Sequence, residues 1–146
     1  MRYFTREWYE LMQEEGRAYG PKETELRKRL DAISAAFRND LAQQNLPEGM
    51  WNRFYFHDGE ILDVQVGEDY EDCVIRADSP FSAYNKVTFC KALVKQDNIR
   101  VGAVWLYEEL YRHALGYEAH ILSWSGEGLL DTKIVCSDIL FEEESQ

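Results

Sequence analysis

Two hydrophobic spacings divide the chain. Up to residue 50 the apolar side chains recur every three or four positions, and from Phe54 they recur every second position. In the first part Thr5 is placed to cap a helix, because its hydroxyl can accept from the free amides of the first turn. Phe4 and Tyr9 occupy the two positions of a hydrophobic staple, and Trp8, Leu11 and Met12 form one stripe. Gly16 is the expected stop. A second helix is expected after Gly20-Pro21, with Leu26, Leu30, Ile33, Phe37 and Leu41 on one face and Pro47 and Gly49 beyond its end. Glu23–Arg27 and Glu25–Arg29 are i,i+4 pairs on its polar side.

The second part alternates. Leu62, Val64 and Val66 are separated by Asp63 and Gln65, and a polar turn from Glu68 to Asp72 leads into Cys73–Ala77, which predicts a hairpin. Further strands are expected over Val87–Val94, Gly102–Tyr111, Tyr117–Trp124 and Leu130–Phe141. The Glu108-Glu109-Leu110-Tyr111 end of the fourth also suits a helix. Short connections favour antiparallel pairing. The expected fold is therefore α+β: two N-terminal helices packed on one face of a roughly six-stranded antiparallel sheet. One domain is expected over 1–146, with a helical part at 1–50 and an acidic sheet part at 51–146.

Charge follows the same division. Residues 1–56 hold nine Lys+Arg against nine Asp+Glu; residues 57–146 hold seven against eighteen, which accounts for the whole formal charge of −11. An acidic surface repels phosphate backbones and anionic lipid, so neither nucleic acid nor a membrane is an expected partner. A basic protein partner is, and homo-oligomerisation stays open. Its contact residues would be the acids of the turn and tail: Glu68, Asp69, Glu71, Asp72, Glu142, Glu143 and Glu144. Cys73, Cys90 and Cys136 form no C-x-x-C pair and sit among apolar residues, as buried thiols of a reducing compartment do. With neither an apolar leader core nor a stretch of ~18 apolar residues, the expected location is the cytoplasm.

Candidate chemistry is sparse. His57-Asp58-Gly59 opens the sheet, and a histidine beside a carboxylate suits a general base, although Asp58-Gly59 is also a turn pair. Glu118 and His120, two apart on a strand, share a face. With His57 or His113 they supply oxygen and nitrogen ligands for a small ligand or a metal. No phosphate loop, nucleophile elbow or dinucleotide fingerprint is present, and no catalytic residue or cofactor is assigned.

The opening Met1-Arg2-Tyr3-Phe4-Thr5-Arg6-Glu7-Trp8-Tyr9, the His57-Asp58-Gly59 step and the strand Tyr117–Leu122 resemble a family of small uncharacterised proteins of Gram-positive bacteria, a domain of unknown function whose members begin M-[RK]-Y-F-T-x-E-W-Y. The resemblance implies no activity or cofactor. A looser similarity in element order extends to bacterial immunity proteins. The expected function is a non-catalytic protein-binding domain, with an immunity-like role as its most concrete version; the alternative is a small-ligand or metal-dependent enzyme using His57, Glu118 and His120.

Overall fold

The alternating segments form strands, and the strands close on themselves. The computed structural model describes residues 1–15 and 21–145. Its elements are α1 (Arg6–Glu15), α2 (Pro21–Gln43), α3 (Met50–Arg53), β1 (Gly59–Val66), β2 (Glu71–Asp78), β3 (Lys86–Gln96), β4 (Val104–His113), β5 (Gly116–Trp124), β6 (Leu129–Cys136) and β7 (Asp138–Glu142). Neighbouring strands run β2-β1-β4-β5-β6-β3, and β3 pairs again with β2. All these pairings are antiparallel. The expected two-helix layer on an open sheet is therefore wrong. The protein is a closed six-stranded barrel with β7 as an extra strand.

Closure follows from the length of β3 and from bulges. One edge of β3 pairs with β2, and the other takes β6 at Leu93–Gln96 and β7 at Lys86–Cys90. β6 and β7 keep one register against it, so they act as a single long strand interrupted at Ser137, opposite Lys91, whose φ is +50°. Register shifts fall between Ile61 and Asp63 in β1 and between Trp105 and Tyr107 in β4. Bulges bend and twist strands, which lets a sheet curl shut. The β1–β4 seam is short, Gly59–Trp105 and Glu60–Val104, extended by hydrogen bonds between Ile61 and Ala103 and between Gly102 and Ile61. The bulge also corrects the expected pattern of β1: Ile61 is fully buried while Leu62 is 48% exposed.

Side chains fill the interior. Ile61, Ile75, Val87, Phe89, Trp105, Leu110, Ile121 and Ile134 point inward from the wall. Met50 of α3, and Phe54 and Phe56 after it, complete this core, with Phe54 against Phe89, Trp105 and Phe141. A barrel of this size holds packed side chains rather than a ligand chamber.

The helices reach the barrel through the first residues of the chain. Thr5 caps α1, its hydroxyl accepting from Trp8 N–H at 3.2 Å, a contact worth about 1 kcal/mol. Phe4 stacks on Tyr107 with centroids 5.0 Å apart, and Tyr9 meets the same ring edge-on. Phe37 of α2 is buried against Tyr3, Phe4, Trp51 and Tyr111. Residues 1–5 thus lie between α2 and the outer wall. Leu26 and Phe37 of the expected stripe are buried, and Arg29 lies over the Trp8 ring. Gly16, Gly20 and the Glu23 side chain are outside the described residues.

Candidate functional site

The bulge in β4 decides which glutamate faces where. Trp105 points into the barrel. Uninterrupted alternation would then carry Tyr107, Glu109 and Tyr111 inward. The register shift at Leu106 reverses this, so Glu108 and Leu110 share the inner side and Tyr107, Glu109 and Tyr111 the outer. Two adjacent buried carboxyls thereby enter different surroundings.

On the outside, Glu109 is fully buried under the N-terminal segment. Its carboxylate accepts from the backbone N–H groups of Arg2 (2.6 Å), Tyr3 (3.0 Å) and Phe4 (2.8 Å), and from the Tyr111 hydroxyl (2.7 Å). Beside it, His120 Nε2 lies 2.7 Å from Glu118 Oε2, and Arg2 and Lys133 also pair with Glu118. The Met1 amino group lies 2.8 Å from His120 Nδ1 and 3.1 Å from both oxygens of Asp131. Burial lowers the His120 pKa against the pull of Glu118. The imidazole is therefore neutral, donating from Nε2 to Glu118 and accepting at Nδ1 from the Met1 ammonium. Burial alone would raise the Glu118 pKa, but hydrogen bonds from His120 and Lys133 outweigh it and bring it down to about 2. Every polar atom of His120 and both oxygens of Glu118 are taken by the protein itself.

Glu118 and His120 thus meet as expected for residues two apart, and His57 does not join them. The His57 ring lies 5.6 Å from Tyr107, while His120 lies 5.6 Å from Tyr111. Those tyrosines are four residues apart along one strand, about 13 Å. Among the described residues no group of three or more His, Cys, Asp or Glu is arranged to hold a metal ion. His113 is used locally, its Nδ1 accepting from Leu115 N–H.

His57 belongs to a different feature. A groove of about 490 Å³ opens between α2, α3 and β4, lined by Phe4, Phe37, Trp51, Tyr55, His57, Tyr107 and Glu108 among others. His57 Nδ1 hydrogen-bonds the Leu106 carbonyl, leaving Nε2 3.6 Å from Asp58 Oδ1. The left-handed Asp58, φ +58°, brings these adjacent side chains closer than a regular strand would. Glu108 is only 5% exposed. Its Oε1 accepts from Phe56 N–H at 2.9 Å. Burial pushes its pKa up to about 8, against the opposing effect of backbone N–H donors. At neutral pH the groove therefore ends in a protonated carboxyl. The aromatic lining continues outward: Tyr55 and Phe81 are 43% and 58% exposed and pack against His57 and each other.

The expected acidic contact residues do not form one patch. Glu68, Asp69, Glu71 and Asp72 are exposed at the β1–β2 turn, beside exposed Tyr70. The tail lies beside Lys86, while Glu71 pairs with Ala92 at the other end of β3, six residues or about 20 Å away. Glu142 and Glu144 are bound to Lys86, and Glu144 also to Arg76 at 2.8 Å. Of the three thiols, Cys73 and Cys136 are buried, which pushes both up to about 12 and keeps them un-ionised.

Glu108 was the residue least legible in sequence, because its inward aim depends on the bulge. No helix of the described residues is long and apolar enough to cross a membrane. No family model matches the chain, and neither the curated proteins nor the solved structures include a match.

Proposed function

We propose that this protein is a binding domain without catalytic chemistry, and that its contact surface is the aromatic groove together with the exposed rings beside it. The observation that carries this is the continuity of that lining, from Glu108 and Tyr107 through His57 and Tyr55 to Phe81. Exposed aromatics beside a desolvated pocket are the usual anchors of protein interfaces. The buried carboxyls of Glu109 and Glu118 are instead bonded internally. At the wall pair both His120 nitrogens and both Glu118 oxygens already have partners within the protein, and His57 stands beside Tyr107, four residues along β4 from the Tyr111 that His120 meets. A formal charge of −11 favours a basic partner, attracted at long range and anchored by the rings.

Panning a displayed peptide library against the intact protein tests this. Selected peptides should shift the Trp51 indole and Phe81 ring NMR signals. They should lose at least tenfold in affinity to a Tyr55→Ser/Phe81→Ser variant, whose exposed substitutions spare the core. Peptides that bind this variant unchanged would place the contact surface elsewhere.

A further inference from the structure

Glu108 is a buried acid without an ion pair among the described residues. It lines the groove together with rings: Tyr55 and His57 on the segment before β1, Tyr107 on its own strand, and Phe37 and Trp51 from α2 and α3. The charged or titratable groups near it are Tyr55, His57, Asp58, Tyr107 and Arg38; Tyr9 faces Tyr107 from α1. Arg38 also lines the groove, but it is exposed and does not pair with Glu108. A neutral apolar ligand would need no carboxyl here. An anion would meet the Glu108 oxygens and Asp58. A planar cation is complementary to both parts of the site, stacking on aromatic faces while hydrogen-bonding a carboxylate.

We propose that the groove takes the guanidinium of an arginine side chain from the partner, held between the Trp51, Tyr55 and Tyr107 rings and paired with Glu108. This rests on the groove being the contact surface, and it names the group that surface selects. Guanidinium suits a desolvated site better than ammonium because it is more weakly hydrated. Phe56 N–H uses one lone pair of Oε1 and the Glu108 amide also donates to the carboxyl, which leaves its remaining lone pairs for guanidinium N–H donors. Binding requires the carboxyl to ionise, so its proton leaves to solvent as the cation enters.

That linkage gives the test a sign. With Glu108 titrating at about 8 in the free protein, affinity follows the ionised fraction. It should rise about tenfold from pH 6 to pH 7 and about fivefold more to pH 8, with about 0.9 proton released per site at pH 7. The experiment titrates N-acetyl-arginine amide, N-acetyl-citrulline amide and N-acetyl-leucine amide into the full chain. It follows the Trp51 indole signal by NMR and proton release by calorimetry in two buffers. The arginine probe should bind with the rising pH profile and citrulline at least tenfold more weakly. Glu108→Gln, with its fold checked by circular dichroism, should lose the preference and the profile. Equal, pH-independent binding of all three probes would overturn the guanidinium assignment and leave the groove as the contact surface. Failure of every probe to shift Trp51 would overturn both, as would an arginine affinity that falls with pH overturn the pairing with Glu108.

Discussion

Glu108 and Glu109 are neighbours on one strand, nearly equally buried, and differently served. Glu109 has four donors, three of them backbone amides of residues 2–4. Glu108 has only the Phe56 amide and its own, and lines an aromatic groove. Desolvation costs a carboxylate several kcal/mol unless donors replace the lost water. At Glu109 the replacement ties the start of the chain to the barrel wall. At Glu108 it is incomplete, and the group keeps its proton instead. One site holds the fold together; the other is the one we propose for a ligand.

The largest expected effect falls on the wall. Glu109→Ala strands three amides and a tyrosine hydroxyl, and should lower unfolding free energy by about 3–5 kcal/mol in urea titration. Glu108→Gln should cost under about 1 kcal/mol at pH 6, because the wild-type side chain is already neutral there. Comparable losses for the two substitutions would break the contrast.

The next effect is a pH slope. Glu108 has a folded pKa of about 8, raised above its unfolded value near 4.5. Its contribution is fully present below pH 4.5 and is lost as pH rises through 8, by about 1.4 kcal/mol per unit in between. Glu118, brought down to about 2, works in the opposite direction: its contribution is present above pH 4.5 and lost as pH falls towards 2. Urea unfolding of wild type and Glu108→Gln at half-unit steps from pH 5 to 9 should give diverging curves, with the variant the flatter. Parallel curves would place the titration elsewhere.

The smallest effect sharpens the account of the wall. The Arg2 guanidinium lies 3.9 Å from the Tyr111 ring centre and pairs with Glu118, yet its side chain is half exposed. Arg2→Ala should cost only about 0.5–1 kcal/mol in thermal unfolding, since its backbone N–H still serves Glu109. A loss equal to that of Glu109→Ala would shift the anchor from the amides to the Arg2 side chain.

Much of the strand content was readable because alternation is local. Val87–Val94 lies within β3, and Tyr117–Trp124 is β5 apart from Gly116. Barrel closure was not readable. It depends on β3 pairing along two edges and on a seam of two residue pairs between β1 and β4, contacts with no local sequence signature. The four-residue α3 is too short to show a period. For the site, the spacing of Glu118 and His120 correctly put them together. Joining His57 to them went too far, because a strand places the two histidines beside different tyrosines. Glu108 was hidden by parity: counting from Trp105 puts it outside, and the shift at Leu106 turns it inward.

The contrast can be read most directly from the carboxyl carbons. A ¹³C NMR titration of the glutamate side chains in the intact protein, with Glu108→Gln to assign the signal, should show Glu108 titrating at about 8. A midpoint near the ordinary glutamate value of 4.5 would contradict the account, since the groove would then end in a permanent carboxylate.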